Sequence, residues 1–158
     1  MPRRKMQRIV HRPPLYTEFK PIGIRRSSLD SIELSIDEYE AIRLADLEGM
    51  DHASAAEKMG ISRPTFSRLI ESARKKAAEF LVTGAHLIIQ GGSIHFKRNR
   101  CICIDCGERY FADMSDKSLI CPKCGSRHIR EFAGRFGHGD CCNQGRGRRN
   151  RGGNNAKR

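Results

Sequence analysis

Apolar residues recur through the middle of the chain with a helical period. Ile36, Tyr39, Ile42, Leu44 and Leu47 give roughly one stripe, preceded by Ser35 and Glu38 and closed by Gly49. Ser35 and Glu38 stand at capping-box spacing, in which hydroxyl and carboxylate each take a backbone N–H left unpaired at a helix start. The pattern predicts a helix from Ser35 to Gly49. A second helix is predicted over His52–Met59, ended by Gly60. A third begins near Ser62–Pro64, where a first-turn proline loses only an N–H that has no partner there. Phe66, Leu69, Ile70, Ala73, Ala77, Phe80 and Leu81 keep its 3.6-residue period, with Ser67, Arg68, Glu71, Arg74, Lys75 and Glu79 on the other face.

Around these helices the pattern is shorter and more broken. Residues 1–14 read as a basic, Pro-terminated arm, and YTEFKPIGI after it is β-like but interrupted by Pro21 and Gly23. His86–Phe96 predicts a β-hairpin turning at Gly91-Gly92, and KRNR at 97–100 a linker. The tail after residue 142 is rich in Gly, Arg and Asn and predicts disorder. The expected fold is mainly α: a trihelical domain with a short hairpin over 15–96, a small β ribbon over 97–134, and a basic tail over 135–158.

Composition narrows the class of partner. Only 38% of the 158 residues are hydrophobic, none is Trp, and the net charge is +12. Such a chain suits small modules and a polyanionic partner. Residues 1–12 hold five basic side chains and no acid, and residues 135–158 hold seven against one, whereas 35–83 hold seven against nine. No run approaches the ~20 apolar residues of a membrane span, and the N-terminus lacks the apolar core of a secretory signal. A cytoplasmic location is expected, where the seven cysteines stay reduced.

The stretch from His52 to Glu71 meets the needs of a helix-turn-helix. Two helices crossing at a tight turn need a small residue at the approach, which Ala56 supplies, and a residue tolerant of positive φ in the turn, which Gly60 supplies four positions on. Ala55, Met59, Ile61, Phe66 and Leu69 occupy the inward places. Ser62, Arg63, Thr65, Ser67 and Arg68 are left outward at the helix end that enters the major groove in such motifs. Arg63 and Arg68 suit bidentate donation to guanine, and the hydroxyls suit phosphate. Arg74 and Lys75 are candidate phosphate contacts, although basic residues toward a helix C-terminus also favour its dipole.

FKPIGI, LSIDEYEAIRLADLEGM, AAEKMGISRPTFSRLIESARKKAAEFLV and IIQGG together resemble a family of small bacterial and archaeal proteins, domain-of-unknown-function family 134. The resemblance covers about residues 2–96. It implies a trihelical fold similar to region 4 of sigma factors and binding of double-stranded DNA. It implies no target sequence, and the Cys-rich half lies outside it.

That half contains Cys103-Ile-Asp-Cys106 and Cys121-Pro-Lys-Cys124, each followed by Gly. Two CxxC knuckles around a hairpin-sized insert form a zinc-ribbon pattern, and four thiolates close a tetrahedral Zn²⁺ site with no open position. One structural Zn²⁺ is expected, iron or a redox CxxC being the alternatives. Cys101 offers a competing register with Cys103. Cys141 and Cys142, with His128 and His138 nearby, are either unpaired or a second metal or redox site. Arg109, Lys117, Lys123, Arg127 and Arg130 supply a basic rim.

No phosphate loop, nucleophile elbow or HExxH motif is present, so catalysis is not expected. The reading is a sequence-specific DNA-binding protein regulating transcription. The alternatives are an RNA-binding or ribosome-associated protein, and an adaptor whose ribbon grips the transcription machinery such as RNA polymerase. The hairpin edges offer a route to a homodimer.

Overall fold

The computed structural model describes residues 7–136. Among them, three helices and eight strands in three sheets make a mixed α/β fold, which overturns the expectation of a mainly α protein. The strands are β1 Arg8–Val10, β2 Glu18–Phe19, β3 Ser31–Leu34, β4 His86–Ile89, β5 Ile94–Phe96, β6 Arg98–Cys103, β7 Arg109–Asp113 and β8 Ile129–Glu131. The helices are α1 Ile36–Ile42, α2 His52–Met59 and α3 Arg63–Thr83. Most strands are too short for alternation to register, and several find partners far away in sequence.

The expected hairpin does not form. β4 is the centre of the sheet β2-β4-β3, antiparallel to β2 and parallel to β3, while β5 runs parallel to β1. His86, Leu87 and Ile89 are all buried, as suits a strand covered on both sides. Gly91 and Gly92 are therefore a crossing between two sheets. The Gly91 carbonyl accepts from the Ile36 amide at 3.2 Å. A Cβ at Gly92, whose φ is +97°, would stand 2.8 Å from Asp37 Oδ1. Only glycine fits that approach.

Neither the arm nor the linker is free over its described residues. β1 pairs Arg8–Val10 with Ile94–Phe96, Arg8 forms an ion pair with buried Asp37, and Pro13 and Pro14 are buried. Within the supposed linker, Asn99 is buried and takes the Ala133 amide at 2.9 Å. The ribbon follows without a gap, β6 lying between β7 and β8.

Two apolar cores share α3. Ala41, Leu44, Ala55, Ala56, Met59, Phe66, Leu69 and Ile70 form the trihelical core. Val10, Leu34, Ile36, Ala73, Leu87, Ile89, Ile94 and Phe96 form the second, between helices and strands. The capping box of α1 is present as expected. The helix does not run regularly to Gly49, however: Arg43–Leu47 is π-helical. The extra residue per turn shifts the phase of the stripe, and Leu47 is 78% exposed.

The π segment turns Arg43 inward. Arg43 is 7% exposed and Glu40 1%. Nε and Nη2 of Arg43 donate to Glu40 at 2.8 and 2.7 Å, Nη1 pairs with Glu48, and Glu40 also accepts the His11 amide at 3.0 Å. The hydrogen bonds donated to Glu40 hold the Arg43 pKa above its ordinary value against burial. Glu40→Ala leaves the buried guanidinium without its main partner, and chemical denaturation should show a loss of about 3–5 kcal/mol.

Candidate helix-turn-helix surface and metal centre

α2 and α3 are joined by the three residues Gly60, Ile61 and Ser62. Asp51 caps α2 by accepting from the amides of Ala53 and Ser54, and Gly60 ends it at φ +65°, the left-handed form that frees the chain to turn. Ala56 is 2% exposed at the crossing, small enough for the helices to approach. Ala55, Met59, Phe66 and Leu69 are buried as expected, with Ile61 half-buried.

The expected surface residues divide into three kinds. Ser62 is the N-cap of α3: its Oγ accepts the Thr65 amide at 3.4 Å and lies 2.8 Å from Thr65 Oγ1. Ser67 is half-buried and its Oγ lies 3.0 Å from His52 Nδ1. His52 also packs edge-on to Phe66, with centroids 5.4 Å apart, so it is a positioning residue that periodicity did not single out. Arg63 and Arg68 are exposed and carry no ion pair among the described residues.

Further along α3 the cations are committed or scattered. Arg74 is tied to Asp46 at 2.7 Å, and that hydrogen bond raises its pKa. Lys76 reaches Glu38 at 2.7 Å. Burial alone would raise the Glu38 pKa, but Lys76 and the Ser35 amide hold it below its ordinary value. Lys75 is exposed.

The cysteine cluster is assembled by β6 and two knuckles. Sγ atoms of Cys103, Cys106, Cys121 and Cys124 all lie within 4.8 Å of one another, with Cys103–Cys124 and Cys106–Cys121 both at 3.6 Å. Tetrahedral bonds of about 2.3 Å place sulfurs about 3.8 Å apart, so the donor set fits a metal ion. The two knuckles match: the Gly107 amide returns to the Cys103 carbonyl at 3.0 Å and the Gly125 amide to Cys121 at 2.9 Å. Asp105 bridges them, accepting from Ser126 and lying 3.1 Å from His128 Nδ1. These two contacts hold the Asp105 carboxyl below its ordinary pKa.

Cys101 is outside this set. It is buried opposite Tyr110 on β7, and burial pushes its thiol up to about 11. The clustered thiols therefore follow the register Cys103-x-x-Cys106. His138, Cys141 and Cys142 lie outside the described residues, as does the tail.

These features define a mixed α/β protein with a tight α2–α3 turn and a cluster of four cysteines. The chain belongs to the family described as protein of unknown function DUF134, whose model matches residues 1–97. It is 48% identical to a UPF0251 protein of Chloroherpeton thalassium over 132 residues, covering 84% of this chain and 87% of that protein. It is 44% identical to a UPF0251 protein of Pelotomaculum thermopropionicum over 126 residues, covering 80% and 95% respectively. With a UPF0251 protein of Moorella thermoacetica the identity is 40% over 147 residues, covering 92% and 96%. No solved structure matches. No helix among the described residues is long and apolar enough to cross a membrane.

The register has a direct test. Cys101→Ser is expected to keep the metal stoichiometry of the wild type, and Cys121→Ser to lose tetrahedral binding. Cobalt substitution, read through thiolate-to-metal charge-transfer absorption, distinguishes them. Equal loss in both would place Cys101 among the ligands.

Proposed function

We propose that the protein binds duplex DNA sequence-specifically and regulates transcription, α3 entering the major groove by its N-terminal turns. The observation that carries this is the sorting of charge along α3. Arg63 and Arg68, in the first two turns, are exposed without ion pairs among the described residues, whereas Arg74 and Lys76 are neutralised by Asp46 and Glu38. A helix packed only for stability has no need to keep its N-terminal arginines unpaired, where they also oppose the helix dipole. A helix that reads base edges needs unpaired donors at that end.

In this reading Ser62 and Thr65 fix the helix start and present hydroxyls beside a phosphate. His52 holds Ser67, so Ser67 is a positioning residue as much as a contact. Arg74 reaches DNA only by giving up Asp46, and Lys75 is the freer phosphate ligand.

The metal in the ribbon is proposed to be one Zn²⁺, because a closed set of four thiolates with no water position suits structural zinc. Cys103, Cys106, Cys121 and Cys124 hold it, and the bound ion supplies folding free energy to the ribbon. Metal analysis of protein purified under reducing conditions should give about one zinc per chain.

The reading helix is tested by titrating duplexes selected from a random pool against scrambled ones. Arg68→Ala is expected to cost about 1–3 kcal/mol on the selected duplex, as for loss of a bidentate base contact, and much less on the scrambled one. Arg63→Ala should behave alike. Equal losses on both duplexes would remove α3 as the reader and favour the RNA or adaptor alternatives.

A further inference from the structure

The ribbon sheet has two unlike faces. Strand alternation puts Asn99, Cys101 and Cys103 of β6 on the buried face. Arg98, Arg100 and Ile102 lie on the other. Register then builds rows across that second face, because directly paired residues share a side. Ile102 pairs with Arg109 on β7 and with Arg130 on β8, and Arg100 pairs with Phe111.

Arg12 joins this face from the N-terminal segment. Its guanidinium carbon stands 5.1 Å from the Phe111 ring centroid, and that of Arg100 stands 5.4 Å from it. Arg100 is fixed further by donating Nε–H to the Pro13 carbonyl at 3.2 Å. Burial lowers the Arg100 pKa, and Arg12 and Arg109 lower it again. Arg12 and Arg100 thus share one ring, close enough for their charges to oppose one another. None of Arg12, Arg98, Arg100, Arg109 and Arg130 has an ion pair among the described residues.

Other cations of the ribbon differ. Lys123 is paired with Glu108 at 3.6 Å, and Lys117 and Arg127 border a depression shared with Asp116 and Glu131. Mutual repulsion of arginines costs stability unless something neutralises them. Guanidinium groups stacked on an aromatic ring keep their in-plane N–H groups for an anion such as phosphate.

We infer that the face built by Arg12, Arg100, Arg109, Phe111 and Arg130 binds the phosphodiester backbone of duplex DNA, as a second, sequence-independent contact separate from α3. It rests on the proposed function only for DNA as the ligand. Binding of an unpaired strand needs an open ring on which bases stack, and the Phe111 ring already serves two guanidinium groups. The surface therefore supplies positive charge, part of it held in place by Arg12 and Arg100 on Phe111, which suits a duplex backbone.

The test uses the full chain and a random-sequence duplex of about 30 bp, so no operator need be known. Removing one phosphate-binding cation lowers the slope of log Kobs against log salt by about 0.9 on duplex DNA. Arg109→Ala with Arg130→Ala is expected to lower it by about 1.8, with the metal content of the wild type. Arg12→Gln alters no residue of the ribbon, and should lower the slope by about 0.9. An unchanged slope in both variants overturns the inference, and so does a greater loss on the single strand than on the duplex. Failure of Arg68→Ala to change preference would sink the reading helix alone, since these slopes are measured on random DNA.

Discussion

The buried Glu40 carboxylate is the point at which the separate parts of the fold meet. It accepts from both sides of the Arg43 guanidinium and from the His11 amide. One side chain thereby ties the N-terminal segment, α1 and the π-helical turn together, and Arg43 extends the chain of contacts to Glu48. A buried pair of this kind adds little net stability over apolar residues, since desolvation offsets the attraction. Its effect is on geometry. A guanidinium must be met in its own plane, so the π turn is held to one conformation and the entry into α2 is fixed with it. The surface of α3 is built on that entry.

What could be read in advance follows the range of the interaction responsible. Local signals were legible: the capping box at Ser35, Gly60 as a left-handed stop, Ser62 before the proline-started helix, and the inward set around Ala56. The gathering of the four cysteines was legible too, because CxxC spacing reflects the reach of two thiolates to one ion. The sheets were not. Glu18–Phe19 is a strand only because Leu87 and Ile88 lie beside it, and Gly91-Gly92 reads as a hairpin turn unless β1 is already known to claim β5.

Site chemistry shows the same division. Outward positions on α3 follow from its period, but whether an outward cation is free depends on its neighbour. Arg74 meets Asp46 across the bundle, and Lys76 meets Glu38; neither pairing is a local feature of the helix. The guanidinium groups gathered at Phe111 come from Arg12 and Arg100. A basic arm and a basic linker were visible separately, and only tertiary structure makes them one surface.

The parallel pairing of Arg8–Val10 with Ile94–Phe96 bears on how the chain is made. During synthesis the first strand leaves the ribosome long before its partner exists. Helices α1 to α3 can collapse on local contacts soon after emerging, since closing short loops costs little entropy. Val10, Pro13 and Pro14, which end in the interior, must wait in solvent until β5 arrives. Assembly of the second core is therefore a late, nonlocal event that sews β1 to β5, and the segment from Arg8 to Pro14 is among the last described parts to acquire its structure.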